Sequence, residues 1–276
     1  MDQIIAANTR PELLRCEQLE AQALRAMHEV ASPSIRARLG LELIDHDGCL
    51  VSIAGKLPST AVLINRALMG NGSAGALSLT EVQLLYHARG VNRYFLHQNL
   101  RHPPVPEDAL SARALRRQRG WQKFEHDLHS IHPASSELRV RRLNPQNIWD
   151  FGLIVGRTFA LGEEAVPWLS ELVWHPNWYI FMSYEGHIPA GVAALFVEGK
   201  YGWLDFAATR PEMRRLGSQQ VLLAHRLNFA RTLGCTQLFS CTGEALPDFP
   251  QQSYRNLLRA GFKETYLREN YAPQNC

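Results

Sequence analysis

Residues 201–233 read YGWLDFAATRPEMRRLGSQQVLLAHRLNFARTL. The first eight, Tyr201–Ala208, are rich in aromatic and apolar residues and read as a strand. A basic turn, Arg210–Leu216, leads into a helix from Gly217 to Leu233, with Leu223, Leu227, Ala230 and Leu233 as its buried stripe and Gly234 placed to close it. The first N–H groups of a helix have no acceptor within it, and the helix dipole makes that end positive. A strand feeding such a start is a natural seat for an anion. Gly217 lets backbone approach a ligand closely, and Arg214 and Arg215 add positive charge. A phosphate or pyrophosphate fits this chemistry; a basic loop before an ordinary helix fits the spacing equally well.

The elements around this stretch have a clear order. Glu137–Leu143 reads as a short strand, and Asn144-Pro145 as a helix start with Asn as cap and Pro in the first turn. Ile148, Phe151, Ile154, Val155 and Phe159 supply that helix's apolar stripe, and a second short helix spans Glu163–Leu172. Trp178–Tyr184, Ala190–Val197 and Tyr201–Ala208 are strands joined by the Gly-containing turns at Gly186 and Gly199. After the helix come a strand at Gln237–Cys241, a helix at Gln251–Ala260 stopped by Gly261, and a strand at Phe262–Tyr271. The order β-α-α-β-β-β-α-β-α-β predicts an α/β fold with a mixed sheet flanked by helices.

The first half is patterned differently. Leu13–Val30 reads as a helix and Leu41–Ile44 with Leu50–Ile53 as a hairpin around His46-Asp47-Gly48. Leu79–Arg89 reads as a helix, Asn92–Leu96 as a strand, Glu107–Gln118 as a helix and Gln122–His126 as a strand. The polar segment His126–Ser136 is read as a linker, giving an N-terminal domain over 1–130 and a second over 136–276. Helix, Gly-aromatic and strand recur at Gly120-Trp121 and at Gly261-Phe262, so the first half is expected to be a degenerate copy of the second, without a cofactor, or else an unrelated helical or α+β domain.

Bulk properties bound the function. The chain has 276 residues, 46% hydrophobic and 20% charged, enough for a sizeable core and unlike a disordered protein. No apolar run reaches the roughly 20 residues that cross a bilayer, which argues against a membrane partner. The opening MDQIIAANTRPELLRCEQLE mixes acids into a helical pattern, so a cytoplasmic protein without a secretion signal is expected. Five cysteines without Cys-x-x-Cys spacing suggest neither a disulfide framework nor a structural zinc site. His126, His129 and His132 could share one side of a helix, but lack an acid or Cys partner, and no metal is expected. The net charge of +3 does not call for a nucleic-acid partner; the run Arg113–Arg119, RALRRQR, reads first as a solvated helix face.

Arg214-x-x-Gly217-x-Gln219, three residues after Pro211 and behind a strand ending Ala-Ala-Thr, resembles the coenzyme-A loop of the GCN5-related N-acetyltransferases. Gln219 stands where that family has Gly or Ala. Ser253–Phe262, SYRNLLRAGF, resembles the family's second block, a helix ending in Gly-Phe before the last strand. The element order over Glu137–Pro273 is the family's as well. The resemblance implies acetyl-CoA, or another acyl-CoA, as co-substrate. Backbone groups of Ala207, Ala208 and Thr209, on a strand splayed from its neighbour, would bond the pantetheine arm. The N–H groups of Arg215, Leu216, Gly217, Ser218, Gln219 and Gln220, with Arg214 beside them, would hold the pyrophosphate. Ser253 and Asn256 would reach the cofactor from the later helix.

The family passes the acyl group directly to an amine, which must lose a proton while the thiolate leaves. The usual Tyr acid falls at Leu257 here, so Tyr254 and Tyr266 are alternatives. Asp205, an acid within an apolar strand, and Glu244, just past a strand end, are candidate bases beside a water-mediated one. Cys241 reads as a small apolar residue rather than a nucleophile. The expected activity is N-acyl transfer to an amine of a small molecule or peptide. A non-catalytic acyl-CoA sensor and an RNA- or protein-modifying enzyme using Arg113–Arg119 stay open.

Overall fold

The computed structural model describes residues 11–46, 49–69, 77–98 and 106–274. The chain forms two compact units, one of residues 1–121 with 266–276 and the other of residues 122–265. The strands β5 (Leu115–His126) and β11 (Lys263–Pro273) each contribute residues to both. The linker expected over His126–Ser136 therefore lies inside the second unit, and the last residues of the chain belong with the first.

In the first unit, the helices α1 (Pro11–Glu29) and α2 (Pro33–Leu39) precede strands β1 (Leu41–His46), β2 (Cys49–Ala54) and β3 (Arg66–Leu68). Then follow α3 (Leu79–His87), β4 (Phe95–His97), α4 (Glu107–Ser111) and the start of β5. The predicted hairpin is β1–β2, with Leu41 opposite Ala54 and His46 opposite Cys49; Asp47 and Gly48 lie outside the described residues. The strands run in the order β1-β2-β3-β4-β11, antiparallel except for the parallel pair β3/β4. α3 begins with a capping box in which Ser78 and Glu81 satisfy each other's backbone N–H. Val51, Ile53, Ala67, Val82, Tyr86 and Leu96 pack into one core.

The helix expected over Glu107–Gln118 stops at Ser111. Ala114 takes a positive φ of 52°, and Leu115 opens a 12-residue strand. Most of Arg113–Arg119 is therefore extended. Trp121 and Phe124 favour strand, Gly120 disfavours helix, and strand pairing overrides the helix preference of the Ala, Leu and Arg residues before them.

Two acids and two guanidiniums meet inside this unit. Glu20 on α1 is 0% exposed and accepts from Arg66 Nη1 on β3 (2.7 Å) and from Arg268 Nη1 and Nη2 on β11 (2.6 and 3.0 Å). Glu17, one turn earlier, accepts from Arg268 Nη1 (3.0 Å) and from the Tyr266 hydroxyl. The formal charges of these four groups balance, which lets them stay ionised in the interior. Both guanidiniums also lie 5.3–5.4 Å from the Trp121 ring.

In the second unit, β6 (Arg139–Arg142) precedes α5 (Trp149–Thr158) and α6 (Val166–Glu171), the latter between single 3₁₀ turns at Glu163–Ala165 and Leu172–Trp174. Strands β7 (Trp178–Glu185), β8 (Ile188–Glu198) and β9 (Tyr201–Thr209) form a meander turned by Gly186 and Gly199, both at positive φ. α7 (Ser218–Thr232), β10 (Gln237–Gly243), α8 (Gln252–Arg259) and the start of β11 complete it. The sheet order is β5-β10-β9-β8-β7-β6, with β9/β10 parallel. One face is covered by α7, where Leu222, Leu223 and Leu227 meet Phe181, Ala193, Leu195 and Leu204. On the other face, Phe151 of α5 and Phe159 just beyond it meet Phe206. The expected α/β architecture with a mixed sheet is observed.

Three local expectations are corrected. Asn144 does not cap α5: its Oδ1 accepts from the Gln146 N–H while Asn147 Oδ1 accepts from the Asn144 N–H, so the asparagines build a turn and the helix starts at Trp149. Leu233 is 40% exposed and leaves the α7 stripe, because the helix ends at Thr232. His126 ends a strand, and its Nδ1 accepts from the Leu128 N–H, so the three histidines do not share a helix.

After β6 the second unit repeats the element order of the first, α-α-β-β-β-α-β-α-β, with a parallel strand pair at the same place in each. Among the described residues, no helix is long and apolar enough to cross a membrane, and no group of three or more His, Cys, Asp or Glu could hold a metal.

Removing Glu20 leaves two buried guanidiniums short of a counter-charge. Glu20→Ala is expected to cost about 3–5 kcal/mol of stability, read from the urea midpoint at constant m-value. A cost below about 1 kcal/mol would contradict the network's role.

Candidate functional site

The strand that the sequence singled out is broken in register. Against β8, Glu198 pairs with Tyr201 and Ala194 with Asp205, but the next pairs are Val192 with Ala208 and Gly191 with Thr209. Phe206 and Ala207 thus stand opposite Ala193 alone, as in a β-bulge. Phe206 takes φ +48°, a conformation bulky residues rarely adopt. Its ring is held by Phe151 (6.1 Å), Phe159 (6.3 Å) and Trp178 (6.1 Å between centroids).

On its other edge β9 leaves its neighbour. The parallel ladder with β10 runs from Tyr201/Gln237 to Leu204/Ser240, where Ser240 Oγ–H donates to the Leu204 carbonyl (3.2 Å). β9 continues to Thr209 and β10 to Gly243, and among the described residues the two have no further register pair. Ala207, Ala208 and Thr209 lie on this part of β9, beyond the last register pair with β10.

A compact turn joins β9 to α7. The Arg210 N–H donates to Ala190 O (2.9 Å), and Pro211–Met213 makes one 3₁₀ turn. Arg215 (φ +69°) and Gly217 (φ +84°) are both left-handed. Gly217 is the N-cap, and the first helical bond is Val221 N–H to Gly217 O (3.1 Å). Among the described residues, the amides from Arg215 to Gln220 donate to no backbone carbonyl. Arg214 and Arg215 are exposed beside them. The turn thus presents a run of free donors with two cations, an arrangement suited to a diphosphate.

Side chains brace the turn from below. Ser218 is buried, its Oγ 2.8 Å from Ser183 Oγ and 3.5 Å from Thr209 Oγ1. A side chain at Gly191 would place Cβ 2.3 Å from Ser218 Oγ and 2.7 Å from Ala208 O, so glycine there lets α7 settle on the strand. Ser136 Oγ–H donates to Leu216 O (2.7 Å), and a Cβ on Gly217 would meet the Ser136 Cβ at 2.9 Å. Gln219, in place of the motif's small residue, folds back and donates from Nε2 to Thr209 Oγ1 (3.0 Å).

The two candidate bases occupy different surroundings. Asp205 is half-buried at the last regular register position before the bulge. Its Oδ1 accepts from the Phe206 N–H (2.8 Å) and its Oδ2 from the Trp203 indole N–H (3.1 Å). Glu244 is half-buried directly after the end of β10. Cys241 lies within β10, half-buried.

The tyrosines are engaged elsewhere. The Tyr254 hydroxyl donates to Glu264, and burial together with that carboxylate pushes its phenol up to about 12. Its ring meets Phe124 edge-on at 5.2 Å. Burial and the neighbouring Cys16 and Glu17 hold the Tyr266 phenol well above its ordinary value. Leu257 is core, Ser253 is exposed in the first turn of α8, and Asn256 is half-buried.

Besides Arg66 and Arg268, two further buried cations were missed from sequence. Lys123 on β5 is 0% exposed with Nζ 4.7 Å from the Trp203 ring centroid. Arg226 on α7 is 1% exposed and donates to the carbonyls of Ala194 (2.9 Å) and Leu222 (3.2 Å). The available signal was spacing: Arg226 lies four residues from both Leu222 and Ala230, on the buried stripe.

No protein-family model and no curated protein matches the sequence. Solved structures do match the fold. A GCN5-related N-acetyltransferase from Kribbella flavida aligns over 93% of this chain and 96% of its own, with 12% identity and a TM-score of 0.59. One from Sphaerobacter thermophilus aligns over 70% and 64%, with 15% identity and a TM-score of 0.53. A conserved protein of unknown function from Staphylococcus epidermidis aligns over 90% and 100%, with 9% identity and a TM-score of 0.55. The chain thus has the fold of the GCN5-related N-acetyltransferases. At these identities activity has to be argued from its own residues.

Gly217→Ala forces a left-handed alanine against Ser136. It is expected to destabilise the unit by about 1–3 kcal/mol, read as a lowered midpoint in thermal or urea unfolding. An unchanged midpoint would mean that the turn relaxes freely.

Proposed function

We propose that the chain is an acyl-CoA-dependent N-acyltransferase acting on an amine of a small molecule or peptide. The observation that carries this reading is the parting of β9 from β10 beside a helix start rich in free amides. Backbone groups of Ala207, Ala208 and Thr209 take the pantetheine arm, and the amides from Arg215 to Gln220 take the pyrophosphate, with Arg214 and Arg215 beside it. Ser253 and Asn256, on α8, reach the coenzyme from its other side. The thioester then lies in the gap between the two strands.

In this reading the amine nitrogen attacks the thioester carbonyl and loses a proton. The C–S bond breaks, and the coenzyme leaves as a thiolate that takes up a proton. Glu244, directly after the end of β10, accepts the amine proton directly or through water. Asp205 acts by position, since its oxygens bind the N–H of Phe206 and the indole of Trp203. Tyr254 is held to Glu264 and does not serve as the acid. Solvent protonates the thiolate. The first unit is a degenerate copy of the same fold, a reading that its repeated element order supports.

A second reading, a sensor that binds acyl-CoA without turnover, is favoured by Leu257 standing where the family's acid is found. Calorimetry with acetyl-CoA, followed by thiol release over an amine panel, separates the two. Binding with release on at least one amine is expected. Binding without release on any amine favours the sensor, and no binding sinks both. With an accepted amine, Glu244→Gln is expected to lower kcat by about 10²-fold or more, with the coenzyme's affinity little changed. A kcat within threefold of wild type would remove Glu244 from the chemistry.

A further inference from the structure

Arg226 is the least expected residue near the parted strands. It sits in the middle of α7 among Leu222, Leu223 and Leu227, on the face that packs against Ala193, Leu195 and Leu204. Its Nε–H donates to Leu222 O within its own helix (3.2 Å), which fixes the stem. Its Nη1 reaches the sheet, donating to Ala194 O (2.9 Å) with a longer contact to Asp205 O (3.5 Å). Those two residues face each other at the last regular position before the register breaks. The guanidinium therefore spans the place where the β8–β9 ladder gives way to the bulge.

An apolar helix face against a regular ladder has no use for an arginine, because regular ladders satisfy their own carbonyls. A bulge disturbs the ladder, and carbonyls at its edge need a donor from elsewhere. A planar guanidinium offers several donors in a fixed fork; an ammonium on a flexible stem does not. Burial pushes Arg226 down to about 9, opposed by the Asp205 carboxylate, so it still carries its charge at neutral pH. Asp205 in turn holds the N–H of Phe206, the residue at φ +48°. Helix, bulge and strained residue thus form one hydrogen-bonded series.

We infer that Arg226 is a positioning residue whose guanidinium holds the β8–β9 bulge, and with it the Phe206–Thr209 edge, in the parted geometry that receives the thioester arm. The last part rests on the acyl-CoA reading above; the holding of the bulge does not.

Arg226→Met keeps the stem and removes the donors, while Arg226→Lys keeps stem and charge but not the fork. Amide hydrogen exchange would be followed at Phe206–Thr209, with the β7–β8 hairpin around Gly186 as control. In Arg226→Met, exchange at 206–209 is expected to rise about tenfold while the control stays within about twofold of wild type. Acetyl-CoA affinity by calorimetry is expected to fall about tenfold, equivalent to about 1.4 kcal/mol, with Arg226→Lys intermediate in both readouts. Unchanged exchange at 206–209 in either variant overturns the inference, as does an equal rise in the control hairpin. Should Arg226→Met not fold, Arg226→Lys alone decides by the same criterion. A wild-type chain that does not bind acetyl-CoA sinks the coenzyme reading instead, and the exchange comparison still decides what Arg226 does.

Discussion

A strand in the middle of a sheet ordinarily has every backbone group paired on both sides, leaving a ligand nothing to bind. β9 escapes this through the extra residue at Phe206–Ala207. The bulge bends the strand after Leu204, so that its partner β10 no longer follows. Backbone that would have been consumed in the ladder then lines a gap. The conformation at Phe206 is costly, and three aromatic rings on one side of the sheet together with Asp205 and Arg226 on the strand and helix keep it in place.

The turn after β9 depends on the same arrangement. Ser218 sinks between Ser183 and Thr209 because Gly191 carries no side chain, and this brings the first turn of α7 down beside the diverging strand. Gln219 contributes by bonding Thr209 instead of projecting from the helix start. The substitution that departs from the family motif thus braces the turn and leaves the amides from Arg215 to Gln220 at the helix entrance. Free amides, two exposed arginines and a parted strand edge then stand on consecutive residues from Ala207 to Gln220.

Much of this was legible in the sequence, for local reasons. The meander β7–β8–β9 has short Gly turns between apolar runs, and α7 has a helical stripe closed by Gly234, so neighbouring residues carry the whole signal. The loop was readable from Arg214, Gly217 and the strand before it. Errors arose where distant pairing decided the outcome. Leu115–Arg119 has helix-forming residues, yet runs as strand because β5 is recruited into a sheet. Arg226 and Lys123 were not singled out, because burial of a cation is set largely by residues far away in the chain. The bulge had no signature, since register with β8 is a property of two strands. Asp205 was found as an acid in an apolar strand, but not as an acceptor for the N–H of Phe206.

The most direct measurement is a crystal structure with coenzyme A bound. The account predicts the pantetheine amides paired with backbone groups of Ala207–Thr209 and the pyrophosphate oxygens on the amides between Arg215 and Gln220, with the sulfur in the gap between β9 and β10. Coenzyme A bound away from this gap, or held there with its pyrophosphate far from the start of α7, would contradict it.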